Sequence, residues 1–280
     1  PVTMGGRVVP SPTEITVPQL QRLIGTPQAP VIVDVCIDED FCADPRLIPG
    51  SFRHPFARIE ELSDRLQGER TVIVCQKGKK LSQGAAALLR AKGVETETLQ
   101  GGIFAWRDAG APFVPASAIP GERTTGGTRW VTRQRPKIDR IACPWLIKRF
   151  IDPAATILFV APSEVLDVAD RFSATPFDIE GVHWSHHDDR CTFDVMIDEF
   201  KLTSDPLNRL ADIVRGADTN RHDIAPEAAG LLAVSLGLSR MYRDDLAQLD
   251  TGMTVYDALY RWARDAVDEG HDWPAASTRP

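Results

Sequence analysis

The fold of this 280-residue chain is decided by the stretch Thr71-Val72-Ile73-Val74-Cys75-Gln76-Lys77-Gly78-Lys79-Lys80-Leu81-Ser82. Its first four residues are apolar or β-branched, a pattern typical of a buried parallel strand. The residues from 82 to 92 are rich in alanine and leucine, and Ser82 is a suitable N-cap, so a helix is predicted there. Cys75 therefore lies where a strand gives way to a helix, at the carboxyl edge of a sheet.

The position of Cys75 favours chemistry at its sulfur atom. Backbone N–H groups and the positive end of a helix stabilise a thiolate and hold an anion, and three nearby lysines add to the effect. A lone cysteine is more often a small buried hydrophobe, but the strand-to-helix context argues against that role here. A phosphate-binding loop is disfavoured because the paired glycines and the Gly-Lys-Ser/Thr ending are absent. We therefore predict a thiolate that attacks a small anion.

The loop 75–80 resembles the active-site loop of rhodanese-type sulfurtransferases, which holds one cysteine in a tight, cationic turn. The loop has the length found in sulfurtransferases rather than the greater length found in the related phosphatases. The resemblance covers about residues 13–115 and implies an α/β domain with a parallel sheet flanked by helices. The stretches that match the family's core strand, Pro-Gly turn and closing motif are Val33-Asp34-Val35, Leu47-Ile48-Pro49-Gly50-Ser51 and Leu99-Gln100-Gly101-Gly102-Ile103-Phe104-Ala105-Trp106, continuing into Ala109-Gly110-Ala111-Pro112.

The same resemblance implies roles for the residues of the loop. Cys75 would carry a persulfide, and the loop amides and lysines would cradle the sulfur donor. The implied partners are a small sulfur donor, such as thiosulfate or a persulfide, and a thiol acceptor, and sulfur transfer requires no cofactor. The implied catalytic residues are Cys75, Lys77, Lys79 and Lys80, and the implied donor-binding residues of the loop are Gln76, Gly78 and Leu81.

Two positions depart from the family pattern. Cys36 stands where the family usually has an arginine after the Asp-Val pair, and the turn 47–50 lacks its usual histidine. If the family's strand order holds, Cys36 and Cys75 lie on the same edge of the sheet. We hypothesise that Cys36 resolves or relays the Cys75 persulfide, which requires a close approach of the two Cα atoms. The alternative is that Cys36 only packs at the end of its strand.

The composition limits the classes of function. A net charge of −7 argues against binding to a phosphate backbone as the main role, so no nucleic-acid partner is expected. Five cysteines at scattered spacings do not form a disulfide framework, which indicates a reducing compartment. No apolar stretch approaches the roughly 20 residues of a membrane span, and the N-terminus lacks the basic and apolar regions of a signal peptide. We expect a cytoplasmic protein that does not insert into membranes.

The sequence pattern divides the chain into two domains. We assign residues 1–115 to the rhodanese-like domain, 116–128 to a linker rich in Pro, Gly and Thr, and 129–280 to a mostly helical α+β domain. In the first domain, strands are predicted at 31–36, 71–75 and 94–99, and helices at 17–25, 57–67, 82–92 and 102–109. In the second, strands are predicted at 129–132 and 157–160, and helices at 138–150, 163–171, 192–200, 205–215, 226–237 and, after Gly252, at 253–268.

A basic and apolar run from 135 to 152 opens the second domain. One interpretation is an amphipathic helix whose Arg and Lys stems cover the edge of the core. The other is an oxyanion clamp, because arginine forks match tetrahedral anions, and Arg140 is then the candidate substrate-binding residue. Both interpretations stay open on the sequence.

Side chains that bind metals crowd into the segment 177–194, which holds three of the six histidines. Imidazole with carboxylate suits Zn, Fe, Mn or Ni, and a thiolate favours Zn or Cu. The spacing matches no standard motif, and a polar loop with solvated histidines is the alternative. The predicted cofactor is a divalent transition metal, zinc or iron. Its candidate ligands are His186, Cys191, Asp194 and, from a separate polar segment, Asp218.

The second domain resembles the C-terminal domain of the chromate-resistance family known as ChrB. The matching stretches are 139–147, 186–193, the region of Asp218, and 227–231, and the resemblance covers about 129–268. It implies a role in chromate resistance but not a reaction. We therefore predict a rhodanese-type sulfurtransferase that moves sulfane sulfur through a Cys75 persulfide, fused to a chromate-resistance-type domain that binds metal or oxyanion. The alternative is a chromate- or redox-responsive sensor or regulator without sulfurtransferase turnover.

Overall fold

The protein is described by a computed structural model that covers residues 13–121 and 127–270. In the first range, the strands are β1 (Glu14–Ile15), β2 (Val31–Asp34), β3 (Arg46–Leu47), β4 (Phe52–Arg53), β5 (Thr71–Val74), β6 (Thr96–Leu99) and β7 (Val114–Pro115). The helices are α1 (Val17–Leu23), α2 (Asp38–Ala43), α3 (Lys80–Ala91) and α4 (Gly102–Asp108), with 3₁₀ segments at Phe56–Leu62 and Ala116–Ala118.

A parallel sheet in the order β1-β6-β5-β2-β4 forms the centre of this first half. Every residue of β5 is buried, because the strand is covered on both faces. Ile73 packs on one face in the cluster that contains Leu89 of α3, and Val72 packs on the other in the cluster that contains Leu20 of α1. The predicted α/β sheet flanked by helices is confirmed.

The differences from the predicted elements have local causes. The strands β1, β3, β4 and β7 are two residues long, which is too short for an alternating pattern to appear in the sequence. The α-helix predicted at 57–67 is wrong: the 3₁₀ segment is broken at Arg58, whose φ is −115°. The helix α2 was not predicted, because its first turn is acidic and no apolar periodicity runs through its six residues.

The second half combines a small sheet with several helices. Its strands β8 (Arg129–Arg133), β9 (Thr156–Val160) and β10 (Thr175–Pro176) form a parallel sheet in the order β10-β8-β9. The helices are α5 (Asp139–Leu146), α6 (Val165–Phe172), α7 (Thr192–Glu199), α8 (Asp205–Asp218), α9 (Ala228–Met241) and α10 (Asp245–Asp265), and a π-helical turn, Ile147–Ile151, follows α5. The mostly helical α+β domain is confirmed. Within the two described ranges, no helix is both long and apolar enough to cross a membrane.

The helix α10 begins well before residue 253, where the sequence placed its start. Asp244 caps it by accepting a hydrogen bond from the backbone N–H of Ala247 at 2.7 Å. Gly252 therefore lies inside the helix, and its lack of a side chain has a packing reason. A Cβ there would lie 2.8 Å from Cγ2 of Ile141, so glycine allows α10 and α5 to pack closely.

The two halves share one apolar core. Ile24 and Trp106 of the first half belong to the same buried cluster as Trp145 and Phe150 of the second. The contact includes the backbone, since Gly50 N–H donates to the carbonyl of Phe150 at 2.6 Å. The predicted linker 116–128 lies partly outside the described residues, because 122–126 are not among them.

We expect Phe150→Ala to lower the free energy of unfolding by about 3–5 kcal/mol, because it leaves a cavity in this shared core. Phe150 is 4% exposed, and its ring packs edge-on against those of Trp145 and Tyr260. Urea denaturation measures the loss. The matched control is Phe172→Ala on the 55% exposed side chain at the end of α6, for which we expect a change within about 0.5 kcal/mol. Equal losses in the two variants would contradict the shared core.

Candidate functional site

The cysteine of the first domain lies directly after β5, as the sequence predicts. Cys75 is 4% exposed, and its Sγ donates to Oγ of Ser82 at 3.2 Å. Ser82 lies in the first turn of α3, and its hydroxyl donates in turn to the carbonyl of Lys79 at 3.2 Å. The prediction that Ser82 caps the helix is wrong, since α3 begins at Lys80. The hydroxyl instead fixes the position of the Cys75 sulfur.

The Cys75 loop is held against the first turn of α4. The backbone N–H of Ile103 donates to the carbonyl of Cys75 at 3.1 Å, and that of Phe104 donates to the carbonyl of Gln76 at 3.0 Å. Gly78 has a φ of +64°, and a Cβ there would lie 2.5 Å from the carbonyl oxygen of Leu99. Only glycine fits this contact, so the sequence fixes the curvature of the loop.

The side chains of the loop divide between solvent and interior. Gln76 and Leu81 are half-buried, while the three lysines are exposed. Within residues 13–121 and 127–270, none of these lysines makes an ion pair with another side chain. Their positive charge therefore stays available around the mouth of the loop. The residues concerned are Lys77, Lys79 and Lys80.

Cys36 lies just beyond the end of β2, the strand next to the β5 strand that Cys75 follows. The strands β2 and β5 pair in register at Asp34 and Val74, and the backbone N–H of Cys36 donates to Oδ1 of Asp34 at 2.8 Å. Burial raises the pKa of the Cys36 thiol, and the carboxylate of Asp34 raises it further. Cys36 also lines a cavity of about 400 Å³, together with Arg53 and other residues. Its resolving or relaying role stays a prediction.

A second cluster of polar side chains lies in the other domain. Nε2 of His186 is 3.4 Å from Oδ2 of Asp139, 3.4 Å from Oδ1 of Asp178 and 3.3 Å from Oδ2 of Asp218. Asp139 is the first residue of α5, and Asp178 lies in the segment after β10. His186 lies in the loop before α7, and Asp218 is the last residue of α8. Three carboxylates thus converge on one imidazole, and we call this set the Asp–His cluster.

The neighbours of the Asp–His cluster hold its carboxylates in place. The backbone N–H of Thr192 donates to Oδ2 of Asp139 at 2.6 Å, and the Thr192 hydroxyl donates to Oδ1 of Asp178 at 3.1 Å. Arg133 and Arg140 lie 3.1 and 3.3 Å from Oδ2 of Asp178. Arg140 also donates to two backbone carbonyls. Arg140, which the sequence offers as an oxyanion clamp, therefore forms an ion pair with a carboxylate of the protein itself.

Burial and mutual repulsion shape the electrostatics of the cluster. Burial raises the pKa of Asp139 to about 7, and the carboxylates of Asp218 and Asp178 add to this rise. The hydrogen-bonding interactions with these three carboxylates raise the pKa of His186 to about 12. For Asp178, burial is outweighed by His186 and the two arginines, which lower its pKa. The cluster therefore concentrates negative charge around a positive imidazole.

The structure brings together only part of the predicted metal-ligand set. His186 and Asp218 meet, but Asp194 accepts from the backbone N–H of Cys191 at 3.0 Å and pairs with Arg215 at 2.6 Å. Cys191 is fully buried at the N-cap of α7, and burial raises the pKa of its thiol. Both residues cap and anchor that helix, so they lie outside the Asp–His cluster.

The sequence did not predict that Asp139 and Asp178 belong to this site. Asp139 lies in the basic and apolar run 135–152, and Asp178 lies in the histidine-containing segment 177–194. The available signal was an aspartate at the start of an apolar helical run: every residue from 141 to 146 is buried, and Asp139 itself is 1% exposed. A buried carboxylate needs partners, and the partners here are distant in sequence.

The family comparisons agree with these two structural units. Residues 16–109 match the family model described as the rhodanese-like domain. The chain thus carries a rhodanese-like domain, and residues 130–263 match the model described as ChrB, C-terminal domain. The predicted fusion of a rhodanese-like domain to a ChrB-type C-terminal domain is confirmed.

Curated and solved proteins show similarity to parts of the chain. Protein ChrB of Cupriavidus metallidurans is 38% identical over 154 residues, which cover 54% of this chain and 46% of that protein. The chain thus matches less than half the length of that relative. A rhodanese-like domain protein from Staphylococcus aureus is 27% identical, with a TM-score of 0.31, and the match covers 34% of this chain and 90% of that one. A thiosulfate sulfurtransferase from Pseudomonas aeruginosa is 25% identical, with a TM-score of 0.31, and the match covers 37% of this chain and 19% of that one.

Proposed function

We propose that the first domain is a sulfurtransferase that carries sulfane sulfur on Cys75. The observation that supports this most strongly is the surroundings of the sulfur. Cys75 stands at the head of α3, in a loop tied to α4 by backbone hydrogen bonds, with three exposed lysines free of ion pairs to the described side chains. Such a setting stabilises a thiolate and attracts a small anion, as sulfur transfer from thiosulfate requires.

The proposed reaction has two displacement steps. The Cys75 thiolate attacks the outer sulfur of thiosulfate, and a new S–S bond forms while that of thiosulfate breaks. Sulfite leaves with the bonding electron pair, so Cys75 becomes a persulfide. The thiolate of an acceptor then attacks the outer sulfur of the persulfide and regenerates the Cys75 thiolate. Atoms and electrons balance without an outside oxidant, and the loop amides and lysines stabilise the anion in both steps.

The test of this function is sulfur transfer from thiosulfate to cyanide, measured on the full chain. Turnover that depends on Cys75 supports the proposal. Failure to turn over thiosulfate or a persulfide donor would contradict it and favour the alternative, a sensor or regulator whose cysteine reports redox state. That alternative is supported by the ChrB-type second domain, whose family we associate with chromate resistance. In this proposal the physiological donor is a small sulfur compound and the physiological acceptor is a thiol.

A second test concerns Cys36. If Cys36 resolves the persulfide, its thiolate attacks the inner sulfur at Cys75 and hydrosulfide leaves. If it relays sulfur, it attacks the outer sulfur and becomes the persulfide itself. We expect mass spectrometry of thiosulfate-treated protein to find one of these products, formed faster at alkaline pH because burial and Asp34 raise the pKa of Cys36. Cys42→Ser, which alters an exposed cysteine, is the control. Absence of both products under every redox condition would leave Cys36 as a packing residue.

A further inference from the structure

We propose that the Asp–His cluster binds one divalent transition-metal cation, of the Mn²⁺ or Fe²⁺ type, through Asp139, His186 and Asp218, with Asp178 beside these three ligands. The four side chains come from separate elements, so no sequence motif joins them. Ligand atoms of Asp139, His186 and Asp218 lie within 4.8 Å of one another. This set differs from the one that the sequence predicts, because it contains no thiolate.

Hydrogen bonding alone does not account for the geometry of the cluster. Nε2 of His186 carries at most one hydrogen, yet it faces three carboxylate oxygens at 3.3–3.4 Å. Hydrogen bonds between a charged nitrogen and a carboxylate are shorter, at about 2.7–2.9 Å. A single N–H group therefore cannot serve all three acceptors, and none of the three distances is that of a strong bond.

The same distances suit atoms that share a cation. Bonds from nitrogen or oxygen to a divalent metal are about 2.0–2.2 Å long. Two ligand atoms at tetrahedral or octahedral angles around such a metal lie roughly 3.0–3.4 Å apart. The spacing of Nε2 from each of the three oxygens falls in that range. A cation would then replace the proton of His186 as the positive charge that the carboxylates face.

An unpartnered oxygen is the second, independent observation. Asp139 is 1% exposed, and its Oδ2 accepts the hydrogen bond from Thr192. Its other oxygen, Oδ1, is buried and has no hydrogen-bond partner among the described residues. A buried carboxylate oxygen without a partner is costly, and coordination by the carboxylate would compensate that cost. The orphaned oxygen thus indicates a missing positive ligand.

The surroundings of the cluster are organised as metal sites usually are. Arg133, Arg140 and the Thr192 hydroxyl hold Asp178, which lies 3.4 Å from Nε2 of His186 and gives this ligand the kind of outer support that orients metal-binding side chains. Asp139 and Asp178 lie at the buried floor, while the side chains of Asp218 and His186 are 20% and 42% exposed. A cation can therefore enter from the side of His186.

The donor set indicates the class of metal. Carboxylates suit hard cations such as Mn²⁺, imidazole suits Fe²⁺ and its neighbours, and soft thiolates would select zinc or copper(I). Two carboxylates and one imidazole, with no thiolate, therefore favour Mn²⁺ or Fe²⁺. Cys191 is engaged at the start of α7 instead, and Cys143 is fully buried in α5 with its pKa raised by burial.

The experiment titrates the full chain, freed of metal with a chelator, with MnCl₂ and follows free Mn²⁺ by electron paramagnetic resonance. We expect one bound Mn²⁺ per chain. His186→Ala and Asp218→Asn should each weaken binding by at least about 10-fold, since each removes one ligand. His187→Ala is the matched control, because this neighbouring histidine lies outside the cluster and should leave the affinity unchanged.

Two results would overturn the site. One is the absence of stoichiometric binding of Mn²⁺ and, under anaerobic conditions, of Fe²⁺. The other is unchanged Mn²⁺ affinity in both His186→Ala and Asp218→Asn, with circular dichroism showing that the variants are folded. A Co²⁺ spectrum tests the ligand set separately. We expect no thiolate-to-cobalt charge-transfer band, and a band that disappears in Cys191→Ala would refute the all-nitrogen-and-oxygen set.

Discussion

Cys75→Ser is expected to lower thiosulfate:cyanide sulfurtransferase turnover by on the order of 1,000-fold or more, the scale seen when a covalent nucleophile is removed. The serine hydroxyl is not ionised at neutral pH, and its oxygen cannot carry the persulfide. The substitution is nearly isosteric, and a serine can still donate to Oγ of Ser82 as the thiol does. The loss should therefore reflect chemistry, with the free energy of unfolding little changed.

The control for this prediction is Cys42→Ser, which alters an exposed cysteine on α2 and should retain full turnover. Intact-mass measurement after thiosulfate treatment adds a second readout. The unmodified protein should gain the mass of one sulfur atom, and Cys75→Ser should not. Wild-type turnover in Cys75→Ser, or a sulfur adduct that persists in it, would rule out Cys75 as the carrier.

Gly102→Ala is expected to disrupt the Cys75 loop and remove most of the sulfurtransferase activity. Gly102 has a φ of +62°, where alanine is strained, and its Cβ would overlap the carbonyl oxygen of Cys75 and the backbone N–H of Gly78. The contacts are with backbone atoms, so neither can move aside without changing the loop. We expect a loss of stability of about 1–3 kcal/mol, which chemical denaturation measures.

The matched control is Gly84→Ala, in the helix that begins just after the same loop. A Cβ at Gly84 meets nothing within 4 Å, and this glycine lies in the interior of α3. Alanine there should stabilise the protein by about 0.5–1 kcal/mol through its helix propensity, with full activity. If Gly102→Ala and Gly84→Ala behaved alike, the contact between the Cys75 loop and the start of α4 would not matter for activity or stability as we expect.

The first domain could be predicted from the sequence because its decisive features are local. The strand, the cysteine, the cationic turn and the helix follow one another within residues 71–92, and hydrophobic period and turn composition are both short-range signals. Two features of the first domain could not be predicted, and each has a physical reason. The two-residue strands carry no period, and the role of Ser82 depends on where the helix begins.

The Asp–His cluster was only half predictable because its members meet through tertiary packing. The sequence pairs His186 with Cys191 and Asp194 because they are near neighbours along the chain. In the structure Asp194 instead caps α7 and binds Arg215. Asp139 reaches the cluster from 53 positions before Thr192, from whose backbone N–H it accepts a hydrogen bond. Proximity in sequence is a weak guide when each ligand comes from a different element.

The apolar core that joins the two halves has a consequence for how the protein can be handled as separate modules. Ile24 and Trp106 lie beside Phe150 around a small cavity, and Gly25 leaves no room for a Cβ beneath that ring. A rhodanese-like fragment cut at residue 115 would carry this apolar face uncovered into water, which favours aggregation. The two halves are therefore not independent modules, and we expect the rhodanese-like half to stay soluble only together with the half that covers it.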